Sequence, residues 1–472
     1  MIFTSYTYVL FLALAFGVHW LAPDRMRKWV LVVLSYVFYC SWRWEYAFLL
    51  LGVSLFNWRY GLLLSRRDVS ARLLGFGIVA NLAPLLYFKY TGFFVQSLND
   101  VVRLSGAESF RVPQILLPLG LSFFTFQGIA YLVDVTTGEA PFRRCSDFLL
   151  FKGFWPQLIA GPIIRPGEMR EQIEGRRRLG YDDVSEGLKR IVCGFLKKVV
   201  LADNLAATVE LVFTHGAKPG MVDSVVGLAG FGLQIYFDFS AYSDIAIGSA
   251  RLFGFRFPEN FDWPYLASSP RAFWERWHMT LSRWIRDYLF TPMAFSLRDR
   301  RAWLPAAVIG SMAICGLWHG AAWTFVVWGV WHGLMLVAGE AAGRWTSTRG
   351  LGRGKLGPVL GWAVTLCGVF AGWAFFRAQN IADAVSLLTS VVTFEGGLRP
   401  RLVRENAVLF VALIAAGTAA VHLLKASEWK LARPLAAWHR VPPLVLPVLY
   451  ALAVAVVIAA DRGSRAFVYF QF

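Results

Sequence analysis

The sequence predicts an all-α, polytopic membrane protein, and three observations carry that prediction. Of its 472 residues 57% are hydrophobic and only 16% charged, with a mean hydropathy of +0.51; soluble chains sit near about 45–50% apolar and 25% charged. Apolar runs of the roughly 20 residues that a membrane span needs recur along the whole chain. Cations gather in the short stretches between them: Arg25, Arg27 and Lys28; Arg66, Arg67 and Arg72; Arg176 to Arg178; Arg298, Arg300 and Arg301. Length alone would suggest roughly three soluble domains, but no stretch between apolar runs is long enough for a soluble core. Any active site therefore lies in or beside the bilayer.

Candidate spans run near 6–22, 29–44, 46–64, 73–96, 115–135, 185–205, 222–250, 303–318, 321–339, 357–376, 407–424 and 442–460. The N-terminus turns apolar at once without a basic leader, so it reads as an uncleaved first span. Lys/Arg-rich short loops mark the cytoplasmic side. Arg25 to Lys28 inside puts the N-terminus outside, and Arg66 to Arg72 fall inside again two spans later. The segment 97–113 is then external, and its charges (Asp100, Arg103, Glu108, Arg111) nearly cancel.

Residues 147–165 are apolar yet interrupted by Pro156, Gly161 and Pro162, which break a helix. Basic residues flank both ends (Arg143, Arg144; Arg165, Arg170, Arg176). That is the signature of a re-entrant segment, tolerated only inside protein or beside a cavity; a kinked full span is the other reading. No repeat or linker divides the chain, and the loops 344–356 and 425–441 are basic connections. We expect one membrane domain over 1–472, with a catalytic core at about 115–340 and peripheral spans in 1–96 and 357–472.

The formal net charge of +17 fits topology and contact with anionic membrane lipid, not nucleic acid. Cys40, Cys145, Cys193, Cys315 and Cys367 have neither metal nor disulfide spacing.

An ionisable group inside a span is costly and therefore a functional candidate. Asp238 and Asp244 stand in an otherwise uncharged run, six positions apart and so on different helix faces. Neighbouring Arg, Tyr or Ser side chains could satisfy each, which is the favoured reading; direct catalysis and lining of a substrate tunnel are the functional ones. The stretch 270–291 reads as one helix, with Ser269 as N-cap, Pro270 in the first turn and Pro292 at its end. Phe273, Trp274, Trp277, Leu281, Trp284 and Tyr288 form one aromatic face, opposite Glu275, Arg276, Arg283, Arg286 and Asp287. An interfacial helix with that face in the headgroup boundary is expected, with His278 at the edge of the stripe, where spacing alone favours a satisfied structural histidine. The uncharged run from Ala302 to Gly339 holds His319 and His332, each between Trp and Gly and thirteen positions apart. That spacing does not suit a metal-binding helix, so no metal site is expected. A neutral imidazole there suits a general base, and Gly316 and Gly320 permit a break or a close helix approach. Spacing alone leaves His319 open between catalysis and structure.

Taken together these segments resemble the membrane-bound O-acyltransferase (MBOAT) family, in the bacterial branch of alginate O-acetyltransferases and teichoic-acid D-alanyl transfer proteins. The resemblance covers most of the chain. It runs through Leu117 to Gln127, Pro156 to Ile163, Lys197 to Asn204, Asp238 to Asp244 and Gly254 to Phe261. The most diagnostic pair is Phe273-Trp274-Glu275-Arg276-Trp277-His278 and Gly316-Leu317-Trp318-His319-Gly320. It implies a helical bundle with re-entrant segments around an intramembrane tunnel, in which His319 matches the family's catalytic histidine and His278 its second polar position. Asp238, Asp244, Trp277, Arg286 and Trp318 would line the tunnel or bind substrate.

The implied reaction is O-acyl transfer in a bacterial inner (cytoplasmic) membrane. A cytoplasmic thioester, acetyl-CoA, would serve as co-substrate without a bound cofactor, for O-acetylation of an extracytoplasmic polysaccharide such as alginate. Implied partners are a periplasmic or membrane-tethered acetyltransferase and the polysaccharide synthesis machinery. Pro292 to Arg298 departs from the alginate-type pattern and Trp277 to Ser282 is closer to the D-alanyl branch, whereas Trp373 to Ala378 and Phe467 to Phe472 look alginate-like. D-alanyl transfer from a carrier protein thus stays an alternative. A transporter using the broken segment and the carboxylates is another, although it would ordinarily show an internal repeat.

Overall fold

A computed structural model describes residues 3–66, 70–175, 178–348, 356–426, 446–461 and 467–468. Arg67, Arg176, Arg177, most of the two basic loops at 344–356 and 425–441, the start of the 442–460 run and the terminal 469–472 lie outside the described residues. Those described are mainly helical, with no strand among them.

Two compact units divide the chain, residues 1–191 with 242–259 and residues 192–241 with 260–472. In the first unit the opening apolar runs become helices Tyr6–Leu21, Asp24–Cys40 and Glu45–Leu64, followed by Ala71–Leu104. The last is longer than its apolar run. It carries on past Pro84 by switching to a π-turn at Leu86–Tyr90 and extends to Leu104, so the external stretch expected at 97–113 begins inside a helix. Asn57 and Asn81 exchange reciprocal amide hydrogen bonds at 2.9 Å between two of these helices. Such bonds contribute roughly 0.6–2 kcal/mol where no water competes. The expected span 115–135 starts only at Leu121, because Gly120 takes a left-handed turn (φ 73°) against the Leu158 carbonyl.

The 147–165 segment is broken, as its prolines and glycines require. A helix Cys145–Gly153 stops, a single turn Trp155–Leu158 follows, and irregular backbone leads to Pro166–Glu174. Residues 147–164 are buried throughout, which meets the condition that irregular backbone at membrane depth be covered by protein. Lys28 clamps its start through an ion pair to Asp147.

In the second unit the helices Leu304–His319, Trp323–Thr348 and Leu356–Arg377 pack in sequence, followed by Ile381–Val392, Glu405–Ala426 and Leu446–Ala460. Six helices of the described chain are long and apolar enough to cross a membrane: Glu45–Leu64, Ala71–Leu104, Arg301–His319, Trp323–Thr346, Gly357–Arg377 and Glu405–Leu424. Leu409, Leu413 and Leu423 on the last of these are exposed, as expected of a surface that meets lipid rather than water. The protein is a multi-pass helical membrane protein.

Candidate active site

Glycine builds the frame of the site. A Cβ on Gly316 would collide with the Phe325 carbonyl oxygen, one on Gly329 with that of Met312, and one on Gly333 would lie 2.7 Å from Ile309 Cα. The helices Leu304–His319 and Trp323–Thr348 therefore touch backbone to backbone, the small-residue packing that apolar solvent favours. Gly320 then ends the first helix in extended conformation (φ −153°, ψ 146°). His319 is thus the last helical residue, held at a helix end beside a tight turn. Both roles expected of Gly316 and Gly320, close approach and break, are present.

His319 is 5% exposed, and its imidazole lies among rings: Trp318 at 4.9 Å, Trp328 at 5.0 Å and Phe376 at 5.3 Å between centroids. Phe376 and Trp373 come from Leu356–Arg377 and themselves meet at 5.5 Å. Trp328 also contacts His332 at 4.8 Å. The two histidines of the uncharged run are joined through one indole.

His278 arrives on a different kind of structure. The single amphipathic helix expected over 270–291 does not form. Instead Pro270–Trp274 is followed by a turn, then Met279–Trp284, a π-turn Ile285–Phe290, and Thr291–Ser296, with Pro292 inside the last piece rather than ending it. Nor does the aromatic face look to lipid: Phe273, Trp274, Trp277, Leu281 and Trp284 are buried in protein, Trp277 against Trp373 at 5.1 Å and Phe273 against His332 at 6.2 Å. The spacing does mark an apolar face, but protein covers it and not the headgroup boundary expected for an interfacial helix.

The break has a cause in Asn260. Its backbone carbonyl accepts the Met279 N–H at 2.9 Å, and its Oδ1 accepts from Thr280 Oγ1 at 2.9 Å and Thr280 N at 3.3 Å. These bonds hold His278 in the left-handed region (φ 41°, ψ 54°), which a non-glycine residue occupies only when its surroundings over-determine it. The same Oδ1 lies 3.1 Å from His278 Nδ1. An oxygen already accepting two donors accepts here too, so Nδ1 carries the proton and Nε2 is the basic nitrogen. Burial pushes this imidazole down to about 3, so it is neutral at ordinary pH. Its ring meets Phe239 edge-on at 4.6 Å and Trp318 at 6.1 Å. Trp318 therefore contacts both His278 and His319.

Of the remaining expected site residues, Asp238 belongs to the same unit, 1% exposed and ion-paired to Lys198 at 2.6 Å. Asp244 belongs to the first unit, where Arg190 binds it at 3.0 Å and also grips Glu259. Arg286 stands 62% exposed with its guanidinium on Asp287. Sequence reasoning did not single out Asn260, Lys198, Trp328 or Phe376 as site residues. All but Trp328 fall in motifs quoted for the resemblance or beside them, yet only packing shows what they touch.

Fold and site define a class: a multi-pass helical membrane protein with buried imidazoles collected at interrupted helix ends and walled by tryptophan. A model of the MBOAT, membrane-bound O-acyltransferase family matches residues 12–377, and the chain belongs to that family. It is an acyltransferase, and the transporter alternative is set aside. The chain is 38% identical over 412 residues to a protein named probable alginate O-acetylase from Pseudomonas aeruginosa, covering 86% of this chain and 78% of that one. It is 35% identical over 404 residues to the peptidoglycan O-acetyltransferase of Helicobacter pylori (79% and 75% covered). A teichoic acid D-alanyltransferase of Streptococcus thermophilus shares 31% over 252 residues, 51% of this chain and 60% of its own length.

Proposed function

We propose that the protein transfers acetyl from acetyl-CoA on the cytoplasmic side of a bacterial inner membrane for O-acetylation of an extracytoplasmic polysaccharide, alginate or a related exopolymer. Acetyl, rather than D-alanyl, is supported by the two O-acetylating relatives, which match more of the chain and at higher identity than the D-alanyl relative. A partner acetyltransferase at the outer face and the polymer's synthesis machinery would complete delivery to the sugar.

The observation that carries this reading is the placement of two buried imidazoles, His278 and His319, against the one indole of Trp318. In the proposed step His319 takes the proton of an acceptor hydroxyl as its oxygen attacks the thioester carbonyl. The C–O bond forms, the C–S bond breaks, and the proton passes to the departing thiolate. General-base catalysis supplies typically about 10²–10⁴-fold, and alignment of donor and acceptor in a water-poor site supplies more. His278, Trp277 and Trp318 would orient the acyl group; no metal is invoked.

His319→Ala is expected to abolish acetylation of exported polysaccharide at unchanged protein level, read by mass analysis of the polymer. Normal acetyl content in that variant would sink the reading. His278→Ala should reduce acetylation, and a silent result would assign it to structure.

A further inference from the structure

Asp238 sits where a carboxylate is costly unless both oxygens are satisfied. Its Oδ1 faces Lys198 Nζ at 2.6 Å, and Lys198 also donates to Asp203 Oδ1 at 2.7 Å. Its Oδ2 accepts the backbone N–H of Val468 at 2.7 Å, across 230 positions of sequence. Lys198 stands on a π-turn, Leu196–Ala202, and the C-terminal helix Leu446–Ala460 packs on that same turn. Such extra-residue turns inside helices are frequent at functional sites. The tail then returns to the site itself. Phe467 and Val468 are buried, and the Phe467 ring meets Phe239 at 5.6 Å. Phe239, next to Asp238 on one helix, is the ring that meets His278 edge-on at 4.6 Å.

We propose that the segment Phe467–Val468 is a positioning element of the active site: Phe467 and the Val468 N–H lock Asp238 and Phe239, and through Phe239 they hold the His278 imidazole in place. Adjacent residues on a helix point about 100° apart, so fixing the Asp238 carboxylate from two sides fixes the helix's rotation and with it the Phe239 ring. Asn260 restrains His278 at Nδ1, and Phe239 restrains the ring through a T-shaped contact. Asp238, Phe239, Phe467 and Val468 act here as positioning residues. This inference rests on the reading that His278 serves acyl transfer.

Val468→Pro removes the N–H without adding charge, and Val468→Ala retains it. The readouts are polysaccharide acetyl content and carbethoxylation of His278 by diethylpyrocarbonate, followed by peptide mass spectrometry. His19, buried in the first unit, serves as the internal control for loss of fold. Val468→Pro should raise His278 modification at least fivefold with His19 unchanged, and lower acetylation at least tenfold; Val468→Ala should match the native protein. Native-like His278 protection and acetylation in Val468→Pro overturn the proposal, as does modification of both histidines together. Should Val468→Pro fail to accumulate, Phe467→Ala is judged by the same two readouts. Failure of the catalytic reading is distinguishable, because it would appear as normal acetylation in His319→Ala and His278→Ala whatever the tail variants do.

Discussion

At the scale of single residues, the candidate site holds an imidazole that folding keeps neutral. The His278 side chain is fully buried, and its folded pKa of about 3 lies below the ordinary value of 6.5. The unfolded chain therefore takes up a proton below about pH 6.5 that the folded chain refuses. The stabilisation belonging to neutral His278 is present above pH 6.5 and is lost as pH falls from there toward 3. The slope reaches about 1.4 kcal/mol per pH unit, so about 2 kcal/mol goes between pH 7 and 5. His278→Asn cannot titrate, and asparagine tolerates the left-handed backbone found there. Its thermal midpoint in detergent should fall less between pH 7 and 5 than that of the native protein; parallel curves would contradict the assignment. Asn260→Leu removes the acceptor of three donors and should cost about 1–3 kcal/mol, with acetylation reduced as far as in His278→Ala. His278 and His319 were legible in the sequence because histidines stand out in apolar or aromatic runs. Asn260 was not, since an asparagine eighteen positions away in a loop gives no sign of which ring nitrogen it will meet.

Elements tell a different story about legibility. Among the described residues each candidate span is helical over most of its length, and the breaks marked by Pro156, Gly161 and Gly320 formed where chain chemistry demanded. What the sequence concealed was the break at 275–278. The three- and four-residue spacing of Phe273 to Tyr288 is genuine, but the capture of Met279 and Thr280 by Asn260 outweighs continuation of an ordinary helix. The pairing of Leu304–His319 with Trp323–Thr348 offers the sharpest test at this scale. Gly316→Ala drives a methyl into the Phe325 carbonyl, and overpacking of this kind costs about 1–3 kcal/mol. It should lower the thermal midpoint and, by moving His319, lower acetylation as well. Gly310 lies on the same helix, and a methyl there would meet only Met293 Cε at 3.9 Å. Gly310→Ala should therefore be neutral or stabilising by about 0.5–1 kcal/mol. Equal behaviour of the two variants would mean that helix propensity, not interhelical contact, governs this pair.

For the whole molecule the governing pattern is charge, since cations in short loops choose the side of the membrane. Arg25 to Lys28 and Arg66 to Arg72 carry the cytoplasmic assignment, and the near-neutral stretch around Glu108 carries the external one. The helix Ala71–Leu104 lies between the last two and is long enough to cross even with its π-turn. Arg72 and Glu108 are both exposed, so each can report its side directly. In a background with the five native cysteines replaced, Glu108→Cys should react with a membrane-impermeant maleimide in intact cells stripped of outer barriers. Arg72→Cys should react only after the inner membrane is opened. Under the proposed function this orientation lets one protein meet a cytoplasmic thioester and an external polymer, because the chain has to present opposite faces to the two. Labelling of Arg72→Cys in sealed cells would invert the topology and put the donor on the wrong side, while leaving the chemistry assigned to His319 untouched. Protection of both cysteines would instead show that Ala71–Leu104 turns back within the bilayer.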